Sequence, residues 1–150
     1  MAKERHKIIP ASYLMIRKGK KLLLMRRFNT GFMDGMYSFV AGHLEPGESL
    51  TEAMVREAKE EAGITIAPKD IRLIHICHRY SVLSKEERID AFFIADKWKG
   101  EIRIMEPGKC DDLSWFDEDR LPKNLVPHLP PILDHIKKGI YYSEAGWDKI

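Results

Sequence analysis

Apolar residues follow two periods along the chain. Ile8–Arg17 and Lys21–Arg27 are dense in Ile, Leu and Met, with Lys18-Gly19-Lys20 between them, which predicts two strands joined as a hairpin. Ile71–Leu83 and Arg88–Trp98 predict a second pair, with Ser84–Glu87 as the turn. Within the first of these, Ile71–Tyr80 alternates apolar and polar residues, as a half-buried strand does. Tyr37–Val40 is a short apolar run that ends at Gly42. Asn29–Met36 carries Asn-Thr-Gly and Asp-Gly and reads as a loop, and Pro46-Gly47, Lys99-Gly100 and Pro107-Gly108 mark further turns.

The period changes to helical in Ser49–Ala62, where Leu50, Met54, Val55, Ala58 and Ala62 make one apolar side. Ser49 suits the N-cap, Glu52 completes a capping box, and Gly63 closes the helix. A second helix is predicted at Leu129–Lys137 behind Pro127, Pro130 and Pro131, since proline is tolerated in a first turn. Strands outnumber helices and come in hairpins, so the class is α+β or a layered α/β/α with a mixed sheet. No repeat, low-complexity tract or linker divides the chain, and residues 1–150 read as one domain. Gly139–Ile150 ends it with Tyr141, Tyr142 and Trp147, an aromatic tail that packs on its own domain or on a partner subunit, in a monomer or a homodimer.

Charge adds to this picture only when counted by segment. The 25 Lys and Arg against 23 Asp and Glu leave a net +2, which argues against a disordered chain or a dedicated polyanion binder. Residues 1–28, however, hold nine basic residues against Glu4, a local +8. Residues 42–64 hold six Glu against Arg56 and Lys59, a local −4. No apolar run approaches the roughly 20 residues that span a bilayer. Pro10 and Ser12 interrupt the only N-terminal apolar run, so a signal peptide and a membrane are not expected. Cys77 and Cys110 form no C-x-x-C, and a reduced, cytoplasmic setting follows. His75, Cys77 and His78 resemble a zinc cluster in composition, but the strand period points His78 away from the other two.

The helix carries the candidate chemistry. Glu57, Glu60 and Glu61 stand at i, i+3 and i+4 and share a face, where like charges cost a few tenths of a kcal/mol per pair. Glu60 and Glu61 also stand at the negative end of the helix dipole. Lys59 points elsewhere, and Arg56 is read as lying off the Glu57–Glu61 face. A solvated acidic face is one reading. The other is a hard-cation site, because carboxylate oxygens are what Mg²⁺ and Mn²⁺ take. The Gly42–Gly47 loop feeding the helix exposes backbone groups to a ligand or ion. It is neither a P-loop nor a dinucleotide fingerprint.

Gly42 to Ile64, GHLEPGESLTEAMVREAKEEAGI, resembles the Nudix box G-x5-E-x7-R-E-U-x-E-E-x-G-U, with U a bulky apolar residue. Gly42, Glu48, Arg56, Glu57, Glu60, Glu61 and Gly63 occupy its fixed positions, Ile64 fits the last apolar one, and Ala58 is smaller than the pattern asks. The resemblance implies an α/β/α sandwich with a mixed sheet between helices. It also implies Mg²⁺- or Mn²⁺-dependent hydrolysis of a nucleoside diphosphate linked to another group. Glu60 and Glu61 are implied as metal ligands, Glu57 as a ligand or the general base, and the Gly42 carbonyl as an added ligand. Arg56 is implied to orient a box glutamate such as Glu48, with Glu48 and Gly63 structural. A further acid from outside the box often helps in the family. Glu106, which follows an apparent strand, is favoured over the pair Glu86/Glu87. Arg26 or Arg27 would hold substrate phosphate.

The substrate reading rests on fewer residues. Tyr80 falls 16 positions past the box, as in dinucleoside polyphosphate hydrolases, and the proline expected of ADP-ribose hydrolases is absent. Asp111 and Asp112 ahead of Trp115 resemble the acidic pair of enzymes that remove oxidised purine nucleotides. Phe28, Phe32 and Tyr37 flank the loop before the box and line either a base pocket or the core. The expected substrate is a nucleoside triphosphate, oxidised purines included, cut to a monophosphate and pyrophosphate. The alternatives are a dinucleoside polyphosphate, a nucleotide sugar, or a non-catalytic nucleotide-binding module. The expected partner is a nucleotide, with no nucleic-acid polymer.

Overall fold

A computed structural model describes residues 2–149. Its strands are β1 (Ile9–Lys18), β2 (Lys21–Arg27), β3 (Tyr37–Ser38), β4 (Val40–His43), β5 (Arg72–Ser81), β6 (Glu86–Ala95), β7 (Cys110–Asp117) and β8 (Tyr142–Ala145). Two α-helices, α1 (Leu50–Ala62) and α2 (Leu129–Lys137), accompany them. The sheet runs β3-β2-β1-β6-β5-β8, with β4 also on β1 and β7 also on β2.

β1 organises the sheet. It is buried over Ala11–Ile16 on both faces, and a strand of that kind reads as a continuous apolar run. The predicted hairpin with β2 holds only at its turn, where Arg17 faces Leu22 and Lys18 faces Lys21. Beyond the turn the two strands part. β1 pairs in parallel with β6 from Ile9 to Ile16 and antiparallel with β4, Ala11 facing His43 and Ser12 facing Gly42. Alternation along β1 then sorts two cores. Ala11, Tyr13 and Met15 pack with Leu129, Ile132 and Leu133 of α2. Leu14 and Ile16 pack with Met54, Ala58 and Ala62 of α1. The molecule is thus an α/β/α sandwich around a mixed sheet.

Helix α1 begins and ends where its caps dictate. The Ser49 side chain accepts from the Glu52 N–H, the Glu52 carboxylate accepts from the Ser49 N–H, and Gly63 adopts φ 72°. The β5–β6 turn falls at residues 82–85, earlier than the pattern predicted, because Val82 and Leu83 are exposed turn residues and do not extend the strand. Residues 101–106, read as an apparent strand before Glu106, are irregular. The tail adds β8 in parallel to the edge of β5. His75 is fully buried there, with Nδ1 at 2.8 Å from the Ile140 carbonyl and Nε2 at 2.7 Å from the Ser143 hydroxyl. Among the described residues, His75, Cys77 and His78 form no metal cluster, and no helix is long and apolar enough to cross a membrane.

Candidate active site

The close packing of α1 on β4 brings the Glu57 carboxylate against the backbone of Gly42. A Cβ at position 42 would lie 2.0 Å from Glu57 Oε1, so only glycine leaves room for that side chain. One turn later Glu61 lies on the same flank, and its Oε2 accepts from the Ala41 N–H at 3.3 Å. Loss of solvent pushes the Glu61 carboxyl well above the ordinary carboxylate range, with the charges of Glu57 and Glu106 adding to it. Burial raises Glu57 as well, against the lowering effect of Arg56. Two neighbouring carboxylates that resist ionisation are short of positive charge.

Arg56 supplies part of that charge. Its Nε and Nη2 donate to the two oxygens of Glu48 at 2.7 and 3.0 Å, a bidentate pair. Its Nη1 donates to Glu57 Oε1 at 2.8 Å and to Glu60 Oε2 at 3.2 Å. The expectation that Arg56 stands off the glutamate face is therefore corrected, because its long side chain curls back over the face that its Cα leaves. The contact fixes Glu57 and holds Glu48 below the usual carboxylate range. Glu60 is the exposed member of the triad, its side chain 52% accessible.

These groups open into a cavity of about 850 Å³ that Gly42, Arg56, Glu57, Glu60, Glu61 and Glu106 line together. The donors are all oxygens, two carboxylates are desolvated and under-compensated, and the Gly42 carbonyl is adjacent. That donor set suits a hard divalent cation. Among the described residues no three carboxylate, imidazole or thiolate groups stand as a closed ligand set. Magnesium does not need one, since it keeps waters and shares its ligands with substrate phosphates.

The other sequence candidates divide. Arg26 and Arg27 line the cavity with partners of their own. Arg26 Nε donates to Asp111 at 2.7 Å and its guanidinium lies over Tyr37, while Arg27 donates to the Phe32 carbonyl and to Thr30. Asp111, Asp112 and Tyr80 lie off the cavity lining itself, with Asp111 one hydrogen bond behind Arg26. Asp112 accepts from the Tyr37 hydroxyl and from Ser114. The Trp115 ring stacks on that of Trp98, with centroids 5.9 Å apart. Tyr80 packs toward Trp147 of the tail. Glu48 and Gly63 lie outside the lining, and Glu106 is 3.6 Å from Lys109. Glu87 is tied to His78 and His6.

Sequence reasoning missed a further part of the cavity lining, formed by Tyr13, His43, Arg88 and His128. One signal for it was present. Arg88 and Asp90 occupy the same face of β6 as the core residue Phe92, an unusual place for charge.

Comparison with known proteins gives this cavity its family. The NUDIX domain model matches residues 7–136. The chain belongs to the Nudix family. The relatives it matches are named as hydrolases and a pyrophosphatase. The NAD-capped RNA hydrolase NudC of Chromobacterium violaceum is 38% identical over 124 residues, which cover 81% of this Nudix chain and 42% of that protein. The chain thus spans about two fifths of the NudC relatives it matches. The ADP-ribose pyrophosphatase of Methanocaldococcus jannaschii is 34% identical over 126 residues, 82% of this chain and 70% of the relative. The MutT NUDIX hydrolase structure from Burkholderia pseudomallei has the same fold, with a TM-score of 0.78 at 23% identity over 86% of this chain and 98% of that one.

Proposed function

We propose that this Nudix chain hydrolyses the pyrophosphate linkage of a nucleoside diphosphate joined to a second group, with Mg²⁺ or Mn²⁺ at Glu57, Glu60, Glu61 and the Gly42 carbonyl. The carrying observation is the desolvated Glu57–Glu61 pair at one end of the 850 Å³ cavity. A bound divalent cation would neutralise phosphate charge and lower the pKa of the attacking water. The chain's own residues supply the frame. Gly42 admits Glu57, Arg56 orients it, the Ala41 N–H orients Glu61, and Glu106 faces them from the loop before β7.

The expectation of a triphosphate or an oxidised purine rests on Asp111 and Asp112, which are bonded to Arg26 and Tyr37, and on Tyr80, which packs toward the tail. The relatives named above support an ADP-linked substrate such as ADP-ribose or NAD, cut to AMP and a second phosphate monoester. The NudC names keep NAD-capped RNA in view, so a polymer that carries the linkage at its end is a substrate to test. We place the chain in the cytoplasm, a setting in keeping with Cys77 and Cys110 being free and buried.

The test is a panel of ADP-ribose, NAD, dinucleoside polyphosphates, nucleoside triphosphates including oxidised ones, and NAD-capped RNA, with Mg²⁺ or Mn²⁺ and products read by ³¹P NMR. AMP from ADP-ribose or NAD supports the reading. Cleavage of triphosphates alone restores the sequence expectation. Nucleotide binding without turnover of any member makes the chain a sensor.

A further inference from the structure

Five arginines stand in or beside the cavity, and four have strong partners: Arg26 on Asp111, Arg27 on the Phe32 carbonyl and Thr30, Arg56 on Glu48 and Glu57, and Arg79 on Asp90 at 2.7 Å. Arg88 differs. Its nearest carboxylate oxygens are 3.7 Å away on Asp90 and 3.9 Å away on Glu86, beyond hydrogen-bond reach. Among the described residues its one side-chain hydrogen bond is from Nη2 to His43 Nε2 at 2.8 Å, which sets the imidazole as acceptor. Among the described residues, Arg88 Nε and the fully buried Asp90 Oδ1 have no hydrogen-bond partner, and neither has His128 Nε2 on the same wall.

Strand register explains how these groups meet. Ala11 of β1 faces His43 of β4 on one side and Asp90 of β6 on the other, while Arg88 lies opposite Ile9. The small Ala11 side chain lets the guanidinium pass across β1 from β6 to β4. The result is a ladder, His43–Arg88–Asp90–Arg79, in which two guanidiniums share the one buried Asp90 carboxylate and Glu86 stands 3.9 Å from Arg88. It ends beside Gly42, whose carbonyl belongs to the proposed cation site. Such a wall suits an anion with several acceptor oxygens.

We propose that Arg88, held by His43 and backed by Asp90, is the anion subsite that receives the phosphoryl group next to the one at the carboxylates. The proposal rests on the pyrophosphohydrolase reading and deepens it by assigning the second phosphate. It adds Arg88, a residue that sequence reasoning passed over, to Arg26 and Arg27, each of which already holds a partner.

Calorimetry with inorganic pyrophosphate and Mg²⁺, on the parent chain and on Arg88→Gln, tests it. Loss of a charge-assisted fork is expected to weaken pyrophosphate binding by about tenfold or more. Arg88→Lys, which keeps the charge and loses the fork, is expected to lose less, and it carries the same comparison if the Gln variant fails to fold. The KM for the best substrate rises with the same ordering. A rise for both ADP-ribose and ATP assigns a phosphate common to the two, and a rise for ATP alone assigns the terminal phosphoryl group. Unchanged pyrophosphate affinity and unchanged KM in folded variants overturn the subsite. Titration of Mn²⁺ alone reports the carboxylate end separately. If the parent chain fails to bind Mn²⁺, the cation reading falls, while pyrophosphate without metal still reads Arg88.

Discussion

Glu61 carries a cost that the chain sustains without a cation. Burial raises its carboxyl above the ordinary value, and the charges of Glu57 and Glu106 raise it further. The folded protein therefore keeps a proton on this site to higher pH than the unfolded chain does. Below the ordinary carboxylate pKa, near 4, both states are protonated and the site costs nothing. As pH rises from there through the raised folded value, the folded state must ionise a desolvated group, and stability falls. Metal-free Glu61→Gln should then be more stable than the parent at pH 7–8, with the gap closing toward pH 4. Thermal melts across that range check this, and a gap that widens toward acid pH contradicts it. Not all of the residue-scale chemistry was legible in the sequence. The spacing of Glu57, Glu60 and Glu61 was, because helical periodicity fixes which residues share a face. The reach of Arg56 was not, because a flexible side chain spans more of the helix surface than its Cα direction indicates.

Helix α1 was the most legible element because everything that bounds it is local. Ser49, Glu52 and Gly63 lie within one turn of the ends they close, and each adopts the geometry that its chemistry predicts. Replacing Ser49 by alanine leaves the Glu52 N–H without its acceptor and should cost about 1 kcal/mol. A urea melt of Ser49→Ala reads that loss directly, and no loss would mean that packing alone sets the start of the helix. The strands were legible as strands, but their pairing was not. β1 leaves its hairpin partner after two residue pairs and takes β6 and β4 as neighbours, and no local pattern reports that choice. The surroundings of Tyr80, Asp111 and Asp112 follow from it. Tyr80 belongs to the end of β5 that the tail covers, and Asp112 lies opposite Arg26 in the β2–β7 ladder. Arg88, His43 and His128 come together from β6, β4 and the segment before α2, so only the assembled sheet reveals their wall.

At the scale of the molecule, the local charges are arranged differently from their order in sequence. The basic N-terminal segment is not one patch. Arg17, Lys18, Lys20 and Lys21 lie at the β1–β2 turn, and β2 carries the chain about 17 Å from Lys21 before Arg26 reaches the cavity. Glu57, Glu61 and Glu106 and the wall around Arg88 instead line a single cavity. This combination suits an anionic substrate that bridges a metal and an arginine. The most direct test is Mg²⁺-dependent release of AMP from ADP-ribose or NAD, comparing the parent chain with Glu61→Gln. Turnover that requires the divalent cation and falls at least a hundredfold in the variant, with the fold retained, is the result predicted here. Turnover that is indifferent to the cation, or undiminished in Glu61→Gln, would contradict a metal-loaded carboxylate site.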